Sequence, residues 1–134
     1  MQQVNIDAPQ VRAALLSRGV SLNPPASPDT LDKLVRWSGN PLHADLLAVL
    51  NEFDGFANHD FDADSFVHVR PISAALSDEW TEHPTLAFAD WSLNAFVFGV
   101  DPSTGAAVLS IENGQLVAPS YADFWSLLLS NKLL

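Results

Sequence analysis

Asn58-His59-Asp60-Phe61-Asp62-Ala63-Asp64-Ser65 gathers the side chains of this chain best suited to chemistry. Asp60, Asp62 and Asp64 alternate as the first three ligands of a calcium loop do. The rest of that pattern is missing. Ser65 stands where the loop needs glycine, and Pro71 where it needs a bidentate glutamate. Zinc needs three or four converging donors, and His59, His68 and His83 are irregularly spaced, with no His-Glu-x-x-His helix. No metal and no cofactor is expected. Like charges at alternate positions repel in a strand, which favours an exposed loop, either solvated or facing a partner.

Catalytic constellations are equally thin. Asp54, Asp60 and Asp90 are carboxylates that can serve acid–base chemistry, but nothing in the sequence sets their separation. There is no Gly-x-Ser-x-Gly elbow, and no glycine-rich phosphate loop of either common type. The absence of cysteine removes thiolate chemistry and disulfides. The chain is expected not to be an enzyme. The alternative to weigh is a small metal-dependent hydrolase using His59 and the aspartates.

Charge points toward a partner. Sixteen acidic residues face six basic ones, for a formal charge of -10. Such a surface repels nucleic acid and anionic membrane and attracts a basic protein. It also keeps a small protein in solution, which is the plainer reading. A 134-residue chain that is 48% hydrophobic predicts one domain with an ordinary core. MQQVNIDAPQ has neither a basic flank nor an apolar run, and the apolar stretches elsewhere are short. These features, with the missing cysteines, suit the cytoplasm.

The elements that must position these residues follow from pattern. Asp7 with Gln10, Ser27 before Pro28, and Asn40-Pro41 open three helices; Gly19 and Gly39 close the first two. Leu42, Leu46, Val49, Leu50 and Phe53 give the third the clearest amphipathic spacing in the chain. Phe66–Val69 and Thr85–Ala89 read as strands, and Ile72–Trp80 as a short helix or turn. Ala95–Val100, Ala106–Glu112 and Gln115–Ala118 read as consecutive antiparallel strands. Asp101-Pro102-Ser103-Thr104-Gly105 and Asn113-Gly114 join them, the latter predicted as a type I′ turn. Ser120 caps a last helix with Asp123 in capping-box spacing; Phe124, Leu127 and Leu128 share one face. Trp37 and Trp125 fall on helices and are assigned to the core. Trp80 and Trp91 sit near loops, and half-exposed tryptophans are favoured interface anchors. For Trp91, packing at a corner is the competing assignment.

Three of these pieces carry a resemblance. Phe88-Ala89-Asp90-Trp91 is similar to the "FADW" corner, and Ser120-Tyr121-Ala122-Asp123-Phe124 to the last-helix start, of the bacterial SUKH superfamily (Smi/Knr-like domains). Phe53-Asp54-Gly55-Phe56 resembles the family's Asn-Gly-Gly turn, with Asp for Asn and Phe56 for the second Gly. Whether Phe56 packs inward or forms part of an interface is open. The resemblance covers about Leu31 to Leu129.

The expected fold class is α+β: an antiparallel sheet of about four to six strands with N-terminal helices and a C-terminal helix packed on it. The resemblance implies a non-enzymatic binding module, an immunity protein that occludes a cognate toxin, with a basic, nuclease-like toxin domain as partner. Asp54, Asp60, Asp62, Asp64, Glu79, Glu82 and Asp90 would supply charge, and Trp80 and Trp91 the anchors. A regulatory or adaptor domain binding a host protein is the alternative within the same resemblance.

Overall fold

The computed structural model describes residues 4–78, 81–92 and 95–133. Glu79 and Trp80, two of the expected contact residues, lie outside them. Three helices come first: α1 (Ala8–Ser17), α2 (Pro28–Ser38) and α3 (Ala44–Leu50). Strand β1 (Val67–Val69) and helix α4 (Ile72–Leu76) follow. Then come β2 (Leu86–Trp91), β3 (Phe96–Val100), β4 (Ala106–Ser110), β5 (Leu116–Ser120) and α5 (Tyr121–Leu129). The strands form one sheet in chain order, each antiparallel to the next. The expected α+β class, with N-terminal helices and a closing C-terminal helix, is what is found.

The helix starts follow the capping chemistry in the sequence. Asp7 accepts from the Gln10 N–H at 3.2 Å, and Ser27 from Thr30 at 3.1 Å. Ser120 accepts from Asp123 at 3.1 Å while its hydroxyl donates to the Asp123 carboxylate at 2.9 Å. Helix α3 departs from expectation. It begins at Ala44, because His43 has extended backbone (ψ 142°) and serves as the N-cap: its Nδ1 accepts from the Asp45 N–H, while its own N–H donates to the Pro102 carbonyl. That ties the helix start to the β3–β4 turn, and Phe53 falls beyond the helix end.

The β4–β5 turn also differs. The hairpin closes from Ser110 to Gln115, and Gly114 donates back to Ser110. Of Asn113 and Gly114 only the glycine has positive φ, +68°, so this is a longer loop ending in a left-handed glycine, not a type I′ turn.

Helix α5 packs on β4 and β5 and meets α1 and α3; α4 packs on β2 and meets α2. Phe124, Trp125 and Leu128 of α5 are fully buried, and Phe124 sits edge-on to Phe88, Phe98 and Trp125. Burial pushes the Tyr121 phenol above its ordinary pKa. Five consecutive buried positions, Leu86 to Asp90, place β2 in the interior rather than at a solvated corner. No helix among the described residues is long and apolar enough to cross a membrane.

Candidate protein-binding surface

The aspartates singled out from the sequence divide into anchored and presented groups. Asp60 is held from both oxygens, accepting from Ser21 N–H at 2.7 Å and from Phe61 N–H at 2.9 Å. Its carbonyl meets His68 Nδ1 at 2.6 Å. Asp62 is not on the surface at all. Its side chain is 1% exposed, and Oδ2 accepts from the Ser65 N–H and hydroxyl and lies 3.5 Å from Arg18. This corrects the solvated-loop expectation for Asp62: its backbone bridges to Val67, which turns the side chain inward against Arg18. Asp64 is presented, 60% exposed, with its carboxylate 3.3 Å from the same guanidinium.

Arg18 is the residue that sequence reading missed. Lying just after α1, it donates to the Leu128 carbonyl and the Asn131 side chain as well as pairing Asp62 and Asp64. One guanidinium thus joins the first helix, the acidic loop and the end of the last helix. Arg18→Met is expected to cost about 2–3 kcal/mol, because it leaves the Asp62 charge buried without its counterion. Urea denaturation measures this, and a loss below about 0.5 kcal/mol would show the junction to be ornamental.

Asp90 and Asp54 likewise have structural roles. Asp90 is 4% exposed and meets Arg70 Nε at 3.1 Å. Asp54 is half-buried, and its Oδ1 accepts from the Ile72 N–H at 2.8 Å at the start of α4. Burial raises its pKa above the ordinary carboxylate value, and the Ile72 bond only partly offsets this. The carboxyl therefore binds its proton more readily in the folded than in the unfolded chain. Its contribution to stability is complete below the unfolded pKa and is lost as pH rises through the raised folded value. Asp54→Asn keeps the acceptor and removes the desolvated charge. We expect the variant to match or exceed the parent at neutral pH, by under about 1 kcal/mol given partial exposure. The gain should vanish on acidification, and paired urea curves at the two pH values decide it.

Glu82 is exposed but belongs elsewhere. It precedes the start of β2, beside the His83 ring that packs edge-on to Trp37. The acidic loop is level with the other end of β2, where His68 pairs with Asp90 and Val67 with Trp91. At about 3.3 Å per residue those ends are roughly 17 Å apart. The acidic residues do not converge, and among the described residues no group of three or more His, Cys, Asp or Glu is placed to hold a metal ion.

What does converge is apolar. The start of β1, the end of β2, and the starts of β3 and β5 lie at one end of the meander. Among the described residues, four of the seven exposed large hydrophobic ones lie there: Phe61 at 42%, Phe66 at 55%, Phe96 at 41% and Leu116 at 55%. Phe61 and Phe66 stack with ring centres 6.4 Å apart. Trp91 is half-buried against Phe96 at 5.5 Å, so it is both corner packing and part of this surface. Behind Trp91 and Phe96 a groove of about 390 Å³ is floored by Phe98 and bounded by Leu116 and Leu133. The sequence did hold a signal, two phenylalanines set among small and acidic loop residues.

No family model matches this sequence, and no curated protein matches it. The geometry stands by itself. Phe56, left open by the sequence, is 1% exposed and packs edge-on to His68. It belongs to the core.

Proposed function

We propose that this chain is a SUKH-like protein-binding module that acts as an immunity protein, occluding a cognate toxin domain without chemistry of its own. The observation that carries the reading is the apolar sheet end on a chain of net charge -10. Clustered, partly exposed aromatics supply interface anchors, and a strongly acidic body steers a basic protein toward them. The resemblance supports it further, because its pieces have working places in the fold. The Asp54-Gly55 turn caps α4, the Phe88–Trp91 segment forms the interior strand, and Ser120 caps the last helix.

The test is calorimetry against the product of the adjacent reading frame, together with rescue of growth in cells producing it. Stoichiometric binding that weakens with added salt and restores growth is the expected result. Binding to a non-toxic host protein, with no rescue, would replace this reading with the adaptor one.

A further inference from the structure

We infer that the sheet end bearing Phe61, Phe66, Phe96 and Leu116 is the docking surface, and that its occupant is a protein face with an apolar centre rimmed by lysine or arginine. The inference rests on the protein-binding reading above and adds to it the surface and the partner's chemistry.

The decisive residue is Phe66. Its backbone lies in the left-handed region, φ +62°, where bulky residues are genuine outliers and glycine or asparagine is expected. The loop demands that conformation: Phe66 N–H bonds back to Asp62 carbonyl, and Phe66 carbonyl then accepts from Ser92. The side chain gains little inside the protein in return, being 55% exposed with Phe61 as its ring partner. A fold selected for stability alone would place glycine here. A phenylalanine held against its backbone preference and presented to solvent is explained by what it meets outside.

The loop is rigid enough to present it. Asp60 is fixed to Ser21, Asp62 to Ser65 and Arg18, and the Asp62–Val67 bridge closes the turn. Trp91 and Phe96 adjoin it: the Phe66 carbonyl accepts from Ser92, the residue after Trp91, and Trp91 pairs with Phe96 across β2 and β3. Charge selects the occupant. Asp64 is presented beside the loop and Asp60 is partly exposed in it, Glu112 holds the Val97 N–H at the start of β3, Asp62 is buried against Arg18 and adds nothing to the rim, and the whole chain carries -10. A basic rim is attracted to it, and a guanidinium gains further from an exposed aromatic face.

Phe66→Gly tests this without harming the fold. The thermal midpoint is expected to equal or exceed that of the parent, while the Kd for the partner rises at least tenfold. The partner is found by placing photo-crosslinking benzoylphenylalanine at positions 61 and 66, with position 47 on α3 as an exposed control, in the cell that produces the protein. Adducts are identified by mass spectrometry, and the identified protein is purified for calorimetry with parent and variant. Adducts at 61 and 66 but not 47, to a basic protein whose binding weakens with salt and with Phe66→Gly, support the inference. If that protein is not a toxin, the immunity reading fails and the docking surface stands. Adducts no more abundant at 61 and 66 than at 47 would overturn the surface. So would adducts to a second copy of the chain, or a Phe66→Gly variant that unfolds. Binding indifferent to salt would overturn the basic-rim assignment.

Discussion

Replacing Gly55 with alanine is expected to cost about 4 kcal/mol and to lower the melting temperature by roughly 12 °C or more. Two separate effects combine. Gly55 has φ +70°, where an L side chain adds about 1–2 kcal/mol of strain. A Cβ there would also stand 2.5 Å from Pro71 N and 2.6 Å from the Arg70 carbonyl carbon. These are backbone atoms, and they are fixed. Arg70 N–H bonds to Phe88, Phe56 N–H to Val69, and Asn23 N–H to the Gly55 carbonyl. Gly19 supplies the control, with φ +84° and nothing within 4 Å of its Cβ position. Gly19→Ala should lose only the strain contribution. Equal losses at the two positions, measured by chemical denaturation, would disprove the close-packing argument.

Arg70→Met should be nearly as damaging, at about 3–5 kcal/mol. Arg70 Nη1 meets Asp78 at 3.0 Å and Nε meets Asp90 at 3.1 Å, with side-chain exposures of 14%, 12% and 6% for the three residues. Nη1 also donates to the Ala87 carbonyl at 3.3 Å. The guanidinium therefore neutralises two carboxylates that water hardly reaches and satisfies a strand carbonyl of β2. Methionine keeps much of the stem and removes the charge, so the loss measures what the two carboxylates lose with their shared counterion. Arg70→Lys should recover only part, because one ammonium cannot match the fork geometry. Adding Asp90→Leu to Arg70→Met should restore stability relative to the single variant. A double variant no more stable than Arg70→Met would show that burial of the carboxylates is not the source of the loss.

Gly55 and Arg70 both brace segments that carry the resemblance to SUKH domains. The Asp54-Gly55 turn and the Asp90-containing strand are the places where its pieces sit. Both are occupied by architecture: a cap on α4, a glycine wedged against Arg70–Pro71, and a buried ion pair. Residues that hold a fold together do not by themselves define a contact face. The face proposed for binding lies instead at the opposite end of β2 from Glu82, on residues outside those pieces apart from Trp91.

The local chemistry was legible in the chain because it is decided by neighbours in sequence. A serine or aspartate three residues before a free N–H caps a helix wherever that helix later packs, as Asp7, Ser27 and Ser120 do. Apolar runs of strand length broken by glycine and asparagine made a meander, and the stripe of α5 marked its buried face. The class of fold and the absence of familiar catalytic motifs follow from such short-range signals. The exceptions began where distant segments compete for the same groups. Helix α3 starts late because His43, tied through its N–H to Pro102 far along the chain, keeps extended backbone and caps the helix instead of entering it.

The fate of each charge was decided only by tertiary structure. Asp60, Asp62 and Asp64 look alike in sequence, yet one is pinned to Ser21, one buried against Arg18, and one presented to solvent. Alternation along the chain says nothing of which side carries an arginine, since Arg18 lies just past a helix forty-odd residues earlier. The exposed aromatics follow the same rule. Phe66 reads as the first residue of a strand. Closure of the Asp62–Val67 turn forces its backbone left-handed and its ring outward, and the meander then brings Phe96 and Leu116 to the same end. Helix caps and strand periods are local energies, whereas a surface is made by the return of the chain upon itself.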